Sequence, residues 1–263
     1  MKKAVFLDMD GTLYSHTGKE AGIPESAVKA IEMAHQNHVL LFGCTGRNVE
    51  EIGLMHVDMH LLDGWITLNG GYCFNETELV HTDPIPDEDI RKLVAYLKEN
   101  PFTVMFSVGE KMFVNMYDAK VEEDMKAIHT PYPEIHPLEY LEGKTVYQMC
   151  FYGKKELVLP VFDFMHIQGT QWSDIGWDIN HTGCSKASGI RSFIRYYGLN
   201  KEDMFGIGDA DNDIPMMEET GTSICMGNGL AHVKEYADYV TSHIDEDGLY
   251  NAFIHYGLIG ENE

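Results

Sequence analysis

The segment that most constrains the fold is the apolar run Val5-Phe6-Leu7, which leads directly into Asp8-Met9-Asp10-Gly11. A short apolar run bounded by a turn signal is typical of a buried strand. Side chains alternate along a strand, so Asp8 and Asp10 leave its end on the same side, and Gly11 lets the chain turn sharply. Two such carboxylates can bind a divalent cation, and one can act as a nucleophile. An Asp-x-Asp pair can also serve only to shape a turn. The rest of the sequence is needed to distinguish that structural role from a metal-binding or catalytic one.

The first part of the chain alternates predicted strands with predicted helices. The predicted elements are a helix over 24–36, a strand over 39–43, a helix over 48–60 that Asn48 caps, and a strand over 65–68. The same alternation resumes after Gly183, with a helix over 185–196 and a strand over 204–208. This order predicts an α/β fold, a Rossmann-like, doubly wound parallel sheet covered by helices on both faces.

The middle of the chain has a different character, which begins near Pro84-Ile85-Pro86. Two predicted strands, 102–107 and 112–116, flank Val108-Gly109-Glu110-Lys111, a sequence typical of a hairpin. Hairpins mixed with helices predict an α+β module with an antiparallel sheet. We therefore predict a core domain over 1–81 plus 183–263 and an inserted cap domain over 82–182.

Charge and cysteine content limit the partners and the compartment. The formal net charge is −23, from 42 acidic and 19 basic side chains. Nucleic acids and anionic membrane surfaces require a positively charged surface, so the sequence argues against both as partners. No segment approaches the roughly 20 apolar residues of a membrane span. The five cysteines are scattered and form no C-x-x-C pair, which predicts reduced thiols and a cytoplasmic protein.

Polar side chains follow the predicted strands at several points. Thr45-Gly46-Arg47 follows the second strand, Asp209-Ala210-Asp211-Asn212-Asp213 follows a later strand, and Lys186 lies at the start of a helix. In open α/β sheets, ligands bind outside the carboxyl ends of the strands. We therefore expect these side chains and the two aspartates of the first strand to meet at one rim of the sheet.

This set of side chains suits phosphoryl transfer, which needs an in-line nucleophile, a metal that offsets the phosphate charge, and donors for the phosphate oxygens. Asp8 can supply the nucleophile, and Asp209 can join it on Mg²⁺, which prefers oxygen ligands. Lys186 can supply a positive charge, and the Thr45 hydroxyl with nearby N–H groups can hold phosphate oxygens. Asp10 can protonate the leaving oxygen and then activate water.

Taken together, these motifs resemble those of phosphatases of the haloacid dehalogenase superfamily, in particular the Cof-type branch, whose large α/β cap is inserted after the third core strand. The matching residues are D-M-D-G-T-L-Y at 8–14, C-T-G-R at 44–47, Lys186, and G-D-A-D-N-D at 208–213. Their order and spacing match over essentially the whole chain. Ala210 stands where many relatives have glycine, and a methyl group there should be tolerated.

The resemblance implies a role for each matching residue. Asp8 would attack phosphorus and become an aspartyl-phosphate, and Asp10 would act as the general acid and base. The other implied roles are Mg²⁺ binding by the Asp8 carboxylate, the Asp10 backbone carbonyl and Asp209; phosphate binding by Thr45, Gly46, Lys186 and Asn212; and contact of Asp213 with Lys186 or a metal-bound water. Arg47 is open between a structural ion pair and contact with substrate. Asn69 is expected to shape the turn before the cap.

The substrate is predicted less sharply than the chemistry. The segments 65–71 and 244–248 resemble those of members that dephosphorylate sugar phosphates, so the leading hypothesis is a Mg²⁺-dependent phosphomonoesterase for a small phosphorylated metabolite of that class. The cap would close over the site and decide specificity. A phosphatase of pyridoxal phosphate or flavin mononucleotide and a phosphosugar mutase are the alternatives. A non-enzymatic binding protein is disfavoured because Asp8, Asp10, Lys186 and Asp209 are all present.

Overall fold

The computed structural model describes residues 2–17, 21–127, 132–171 and 173–260. The chain divides into two compact units, of which the first comprises Met1–Gly46, Val57–His81 and Ser185–Glu263, and the second comprises Arg47–His56 and Thr82–Cys184. The helices are α1 (Glu25–Gln36), α2 (Val49–Leu54), α3 (Asp87–Glu99), α4 (Ala119–Ala127), α5 (Lys155–Val158), α6 (Lys186–Tyr197), α7 (Ile214–Glu219) and α8 (Gly248–His255).

Strands of the first unit form one sheet of eight, with the order β14-β13-β12-β1-β2-β3-β4-β5. These strands are β1 (Ala4–Asp8), β2 (Leu40–Cys44), β3 (Gly64–Thr67), β4 (Tyr72–Asn75), β5 (Leu79–Thr82), β12 (Met204–Gly208), β13 (Thr222–Cys225) and β14 (Tyr239–Val240). The strands from β14 to β3 pair in parallel, and β4 pairs antiparallel with β3. Asp8 lies opposite Cys44, and Leu7 lies opposite Ile207, so β1, β2 and β12 end at the same edge.

Helices cover this sheet on both faces, which confirms the predicted doubly wound α/β fold. Phe6 and Phe42 lie in one apolar cluster with Phe193 of α6 and Met216 of α7, and the rings of Phe42 and Phe193 meet edge to face at 4.8 Å. The helices α1 and α8 form a second packed pair, and α1 contacts β2. The side chains of β1 alternate between the faces and are all buried, which explains its apolar sequence.

The second unit contains a sheet of six strands in the order β10-β11-β9-β6-β7-β8. These strands are β6 (Thr103–Val108), β7 (Lys111–Val114), β8 (Glu134–Ile135), β9 (Gln148–Tyr152), β10 (Ile167–Gln171) and β11 (Gly176–His181). All neighbours pair antiparallel except β7 and β8. Gly109 has a φ of 59° between β6 and β7, so the predicted hairpin forms with glycine in its turn. Leu93 of α3 packs with Phe106 and Phe151 in the core of this unit.

The helix predicted over 48–60 is wrong at its carboxyl end. Asn48 caps it as predicted, since its side chain accepts a hydrogen bond from the Glu50 N–H at 2.8 Å. The helix α2 nevertheless ends at Leu54, because His56 takes a φ of 58°, which a continuing right-handed helix excludes.

The segment Arg47–His56, which the sequence assigned to the core domain, clusters with the second unit. The contacts of Glu50 with the β6–β7 hairpin account for this difference. Its carboxylate accepts from Lys111 Nζ at 2.7 Å and from the Met112 N–H at 3.0 Å, and its own N–H donates to the Glu110 carbonyl at 3.2 Å.

All five cysteines are buried free thiols. Within the described ranges, no helix combines the length and the apolar character needed to cross a bilayer.

Candidate active site

A tight turn follows β1 and carries the first aspartate pair. The N–H groups of Leu13 and Tyr14 converge on the Met9 carbonyl, at 3.0 and 2.7 Å, and Gly11 adopts a φ of 81°. The Asn228 side chain donates to the Gly11 carbonyl at 2.7 Å and fixes the turn from the far end of the chain. The positive φ explains the requirement for glycine at this position.

Asp8 ends β1 and contacts a buried lysine. Lys186 Nζ donates to Asp8 Oδ1 at 2.5 Å and to Asp213 Oδ1 at 2.6 Å. The exposed fractions of Asp8, Lys186 and Asp213 are 5, 1 and 0%. Ser185 caps α6 through the Ser188 N–H and so fixes the first turn, from which Lys186 projects. A charged lysine is rarely buried this deeply unless carboxylates pair with it.

Asp213 is held by backbone groups on its other oxygen. Asp213 Oδ2 accepts hydrogen bonds from the N–H groups of Asp209 and Ala210, at 2.9 and 3.0 Å. A side chain at Gly208 would collide with this carboxylate, because a Cβ there would lie 2.3 Å from Asp213 Cγ. Both oxygens of Asp213 are therefore engaged, which fixes the carboxylate that orients Lys186.

Asp209 completes an acidic cluster beside Asp8. Oxygen atoms of Asp8, Asp209 and Asp213 lie within 4.8 Å of one another, and Thr12 Oγ1 donates to Asp209 Oδ1 at 3.3 Å. A Cβ at Gly11 would lie 2.5 Å from Asp209 Oδ2, so glycine leaves the space that this carboxylate occupies. Carboxylate oxygens at this spacing are the donor set that a hard divalent cation prefers, and the residues therefore fit Mg²⁺.

Burial and mutual repulsion shift the pKa values of this cluster. Burial, aided by the Asp213 charge, raises the pKa of Asp8 well above its usual range, and Lys186 opposes this effect. Burial and the Asp213 charge raise the pKa of Asp209 to about 6. Burial alone would lower the pKa of Lys186, but Asp213 and Asp8 outweigh it and raise that pKa. The ammonium therefore stays charged, and one positive charge faces three carboxylates.

Asp10 lies in the turn, and its carboxylate does not belong to the acidic cluster. Its Oδ1 lies 2.6 Å from His16 Nε2, and the side chains of Asp10 and His16 are 37 and 31% exposed. The sequence assigned the backbone carbonyl of Asp10, not its carboxylate, to the metal. That assignment remains a prediction.

Thr45, Gly46 and Asn212 are connected through Asn69. The Asn69 N–H donates to the Thr45 carbonyl at 2.9 Å, and Asn212 Nδ2 donates to Asn69 Oδ1 at 3.4 Å. Gly46 leaves room for Asn69, whose Nδ2 would lie 3.1 Å from a Cβ at that glycine. Asn69 has a φ of 53°, so it shapes the turn as predicted and also joins two predicted phosphate-binding segments.

Arg47 belongs to the second unit and is 9% exposed. Its Nη1 lies 4.0 Å from Glu51 Oε1, one turn further along the chain. The role of Arg47, either a structural ion pair or contact with substrate, stays a prediction.

Sequence reasoning missed three residues that hold the site. Thr12 was read only as part of a motif, Asn228 lies 217 positions from its partner Gly11, and His16 was not assigned. The position of Thr12 next to Gly11 was the available signal, whereas neither of the other two contacts has a sequence spacing that would predict it.

The chain is similar to known proteins in both sequence and structure. Residues 5–253 match the family model described as haloacid dehalogenase-like hydrolase. YkrA of Bacillus subtilis, named as a candidate phosphatase, is 32% identical over 266 residues, which cover 98% of each chain.

Two solved structures share both the fold and part of the sequence. One, a sugar phosphatase of haloacid dehalogenase subclass IIB, is 31% identical with a TM-score of 0.84, over 98% of this chain and 100% of that chain. Another, a phosphatase of the same superfamily from Bacteroides thetaiotaomicron, is 32% identical with a TM-score of 0.87, over 98% of this chain and 96% of that chain.

Proposed function

The chain belongs to the haloacid dehalogenase-like hydrolases and is a phosphatase, and from this we propose that it hydrolyses small sugar phosphates with Mg²⁺ through an aspartyl-phosphate. The observation that carries the proposal is the buried contact of Lys186 with Asp8 and Asp213, with Asp209 beside them. The likeness to a sugar phosphatase supports the substrate class.

In this proposal Asp8 is the nucleophile. Lys186 holds Asp8 Oδ1, which fixes the direction of the carboxylate. An ammonium has three N–H groups, and two of them engage Asp8 and Asp213, so the third can donate to a phosphate oxygen. The Thr45 hydroxyl, the Gly46 N–H and the Asn212 amide supply further donors for phosphate. An oxygen of Asp8 forms a bond to phosphorus while the bond from phosphorus to the leaving oxygen breaks.

Asp10 moves the protons. Its carboxyl group gives a proton to the leaving oxygen, and the resulting carboxylate takes a proton from the water that hydrolyses the aspartyl-phosphate. The Asp10 side chain is 37% exposed, and this partial exposure lets it exchange protons with solvent. The buried Asp8 is therefore the nucleophile, and the half-exposed Asp10 is the general acid and base.

Asp8, Asp209 and the Asp10 carbonyl would hold Mg²⁺, which when bound offsets the charges of the phosphoryl group and the carboxylates. Asp213 lies in the same cluster, but Lys186 and two N–H groups already occupy its oxygens. We therefore assign Asp213 to holding the lysine and the loop. The inserted domain over 82–182 would choose among substrates.

Phosphate release from a panel of hexose and pentose phosphates, pyridoxal phosphate, flavin mononucleotide and nucleotides tests the proposal. With Mg²⁺ we expect turnover, highest on a sugar phosphate, and with EDTA we expect turnover to fall to background. Preference for a cofactor phosphate would overturn the substrate class. Isomerised sugar phosphate without free phosphate would replace hydrolysis with a mutase reaction.

Mg²⁺ should also stabilise the protein in a pH-dependent way. A Mg²⁺ concentration about 100-fold above Kd adds about 2.7 kcal/mol to the free energy of unfolding. For a chain of this size, each kcal/mol raises Tm by about 2–4 °C, so we expect Mg²⁺ to raise Tm by about 5–10 °C near pH 7.5. Since the pKa of Asp209 is raised to about 6, protons compete with the cation as the pH falls. The Mg²⁺-dependent shift in Tm should therefore be smaller at pH 5.5.

Two asparagine variants in the same loop test whether the Mg²⁺-dependent shift in Tm depends on Asp209. Asp209→Asn should lose most of the Mg²⁺-dependent shift, whereas Asp211→Asn should keep it, because Asp211 is exposed and pairs with His232. An undiminished shift in Asp209→Asn would contradict the assigned metal site.

A further inference from the structure

The turn after β1 places a histidine ring against the proton-transfer carboxylate. His16 Nε2 lies 2.6 Å from Asp10 Oδ1, within hydrogen-bonding distance. Half-exposed polar contacts of this kind contribute little to folding stability. The contact is therefore better explained by what it does to Asp10 than by what it adds to the fold.

The residues on both sides of His16 are tied to one carboxylate. Ser15 Oγ donates to Asp245 Oδ1 at 2.6 Å, and Thr17 Oγ1 donates to Asp245 Oδ2 at 2.8 Å. The ring of Tyr14, which is 8% exposed, lies 5.1 Å from the His16 ring, centroid to centroid. These contacts restrict the backbone around His16 and pack one side of its ring, independently of Asp10.

We propose that His16 is a positioning residue for Asp10, an inference that rests on the proposed acid–base role of Asp10. A hydrogen bond from Nε2–H to Oδ1 fixes the rotamer of the carboxyl group and therefore the direction in which it presents the transferred proton. In the first step Asp8 bonds to phosphorus, the bond from phosphorus to the leaving oxygen breaks, and that oxygen takes the proton from the Asp10 carboxyl group. A carboxyl group that rotates freely would present this proton less often.

The leaving group provides a readout that a purely structural role would not affect. An alkoxide leaving from a sugar phosphate needs a proton, whereas p-nitrophenolate leaves without one. The ratio kcat/KM reports the steps up to departure of the leaving group and excludes later hydrolysis of the aspartyl-phosphate. We expect His16→Ala to lower kcat/KM about tenfold or more on the best sugar phosphate of the panel, and less than about threefold on p-nitrophenyl phosphate.

Three further variants separate the possible outcomes. His16→Gln, whose amide N–H can replace Nε2–H, should recover most of the sugar-phosphate activity. His35→Ala should leave both substrates unaffected, because His35 forms a similarly exposed pair with Asp63, at 3.3 Å, elsewhere in the first unit. Asp10→Asn should show the same selectivity for the leaving group as His16→Ala, with a larger loss.

Suppose that Asp10→Asn loses more kcat/KM on the sugar phosphate than on p-nitrophenyl phosphate. The inference about His16 would then be overturned if folded His16→Ala lost kcat/KM equally on both substrates, or on neither. If Asp10→Asn itself showed no selectivity, the proposed acid–base role of Asp10 would fail first. Thermal melting of each variant shows whether it is folded.

Discussion

Asp8→Asn should abolish phosphate release, with a loss of about 10⁴-fold or more in kcat, while the protein keeps its fold. An amide cannot form the aspartyl-phosphate, and the other groups of the site cannot replace it as a nucleophile. The substitution preserves shape, and the amide oxygen can still accept from Lys186. Because burial raises the pKa of Asp8, loss of its charge should leave metal-free Tm unchanged or higher.

The covalent intermediate gives a second measurement of the same prediction. Acid-quenched wild-type enzyme, mixed with substrate and Mg²⁺, should carry a phosphoryl group detectable by mass, and Asp8→Asn should carry none. Asp211→Asn, the exposed control, should keep both turnover and the adduct. Undiminished turnover in folded Asp8→Asn, or an adduct on another residue, would remove Asp8 from the mechanism.

The sequence predicted the ends of β2, β3, β12, α1 and α6 to within one residue, but it missed the carboxyl end of α2. A buried strand must be apolar until it leaves the sheet, so the first polar residues, Asp8 and Asp209, mark where β1 and β12 end. Parallel pairing then brings the ends of β1 and β12 together. The end of α2 could not be predicted in this way, because the positive φ of His56 leaves no pattern in the surrounding residues.

Contacts between distant segments were also beyond prediction. Asp245 binds Ser15 across 230 positions, and Asn228 binds Gly11 across 217. Such hydrogen bonds depend on how two loops meet at the sheet edge, which neither loop encodes alone. The assignment of Arg47–His56 depends likewise on the contact of Glu50 with Lys111. The contacts of these residues are determined by tertiary packing and not by local secondary-structure propensity.

Lys186→Met should be the most destabilising substitution in the site. It leaves the buried carboxylates of Asp8 and Asp213 without their cation, and loss of one partner from a buried ion pair costs about 3–5 kcal/mol. Turnover should also fall, by about 10²–10³-fold, because the developing charge loses its donor. Denaturant unfolding in EDTA and steady-state kinetics measure the two effects.

Burial is the reason for this loss, and the chain offers a matched control. Lys111 contacts Glu50 at 2.7 Å, close to the 2.6 Å between Lys186 and Asp213, but the Lys111 side chain is 78% exposed. Lys111→Met should therefore lower the free energy of unfolding far less than Lys186→Met does. Equal losses in the two variants would show that the buried pair is no stronger than a surface pair.

The stability lost in Lys186→Met should shrink as the pH falls. Lys186 lowers the pKa of Asp8, so its removal raises that pKa further above the unfolded value. Protonation of Asp8 at lower pH then removes the unpaired charge, and the deficit relative to wild type decreases. The double variant Lys186→Met/Asp213→Asn carries one fewer stranded carboxylate, so it should be more stable than Lys186→Met alone. A double variant less stable than the single one would mean that Asp213 contributes mainly through the Asp209 and Ala210 N–H groups and not through the lysine.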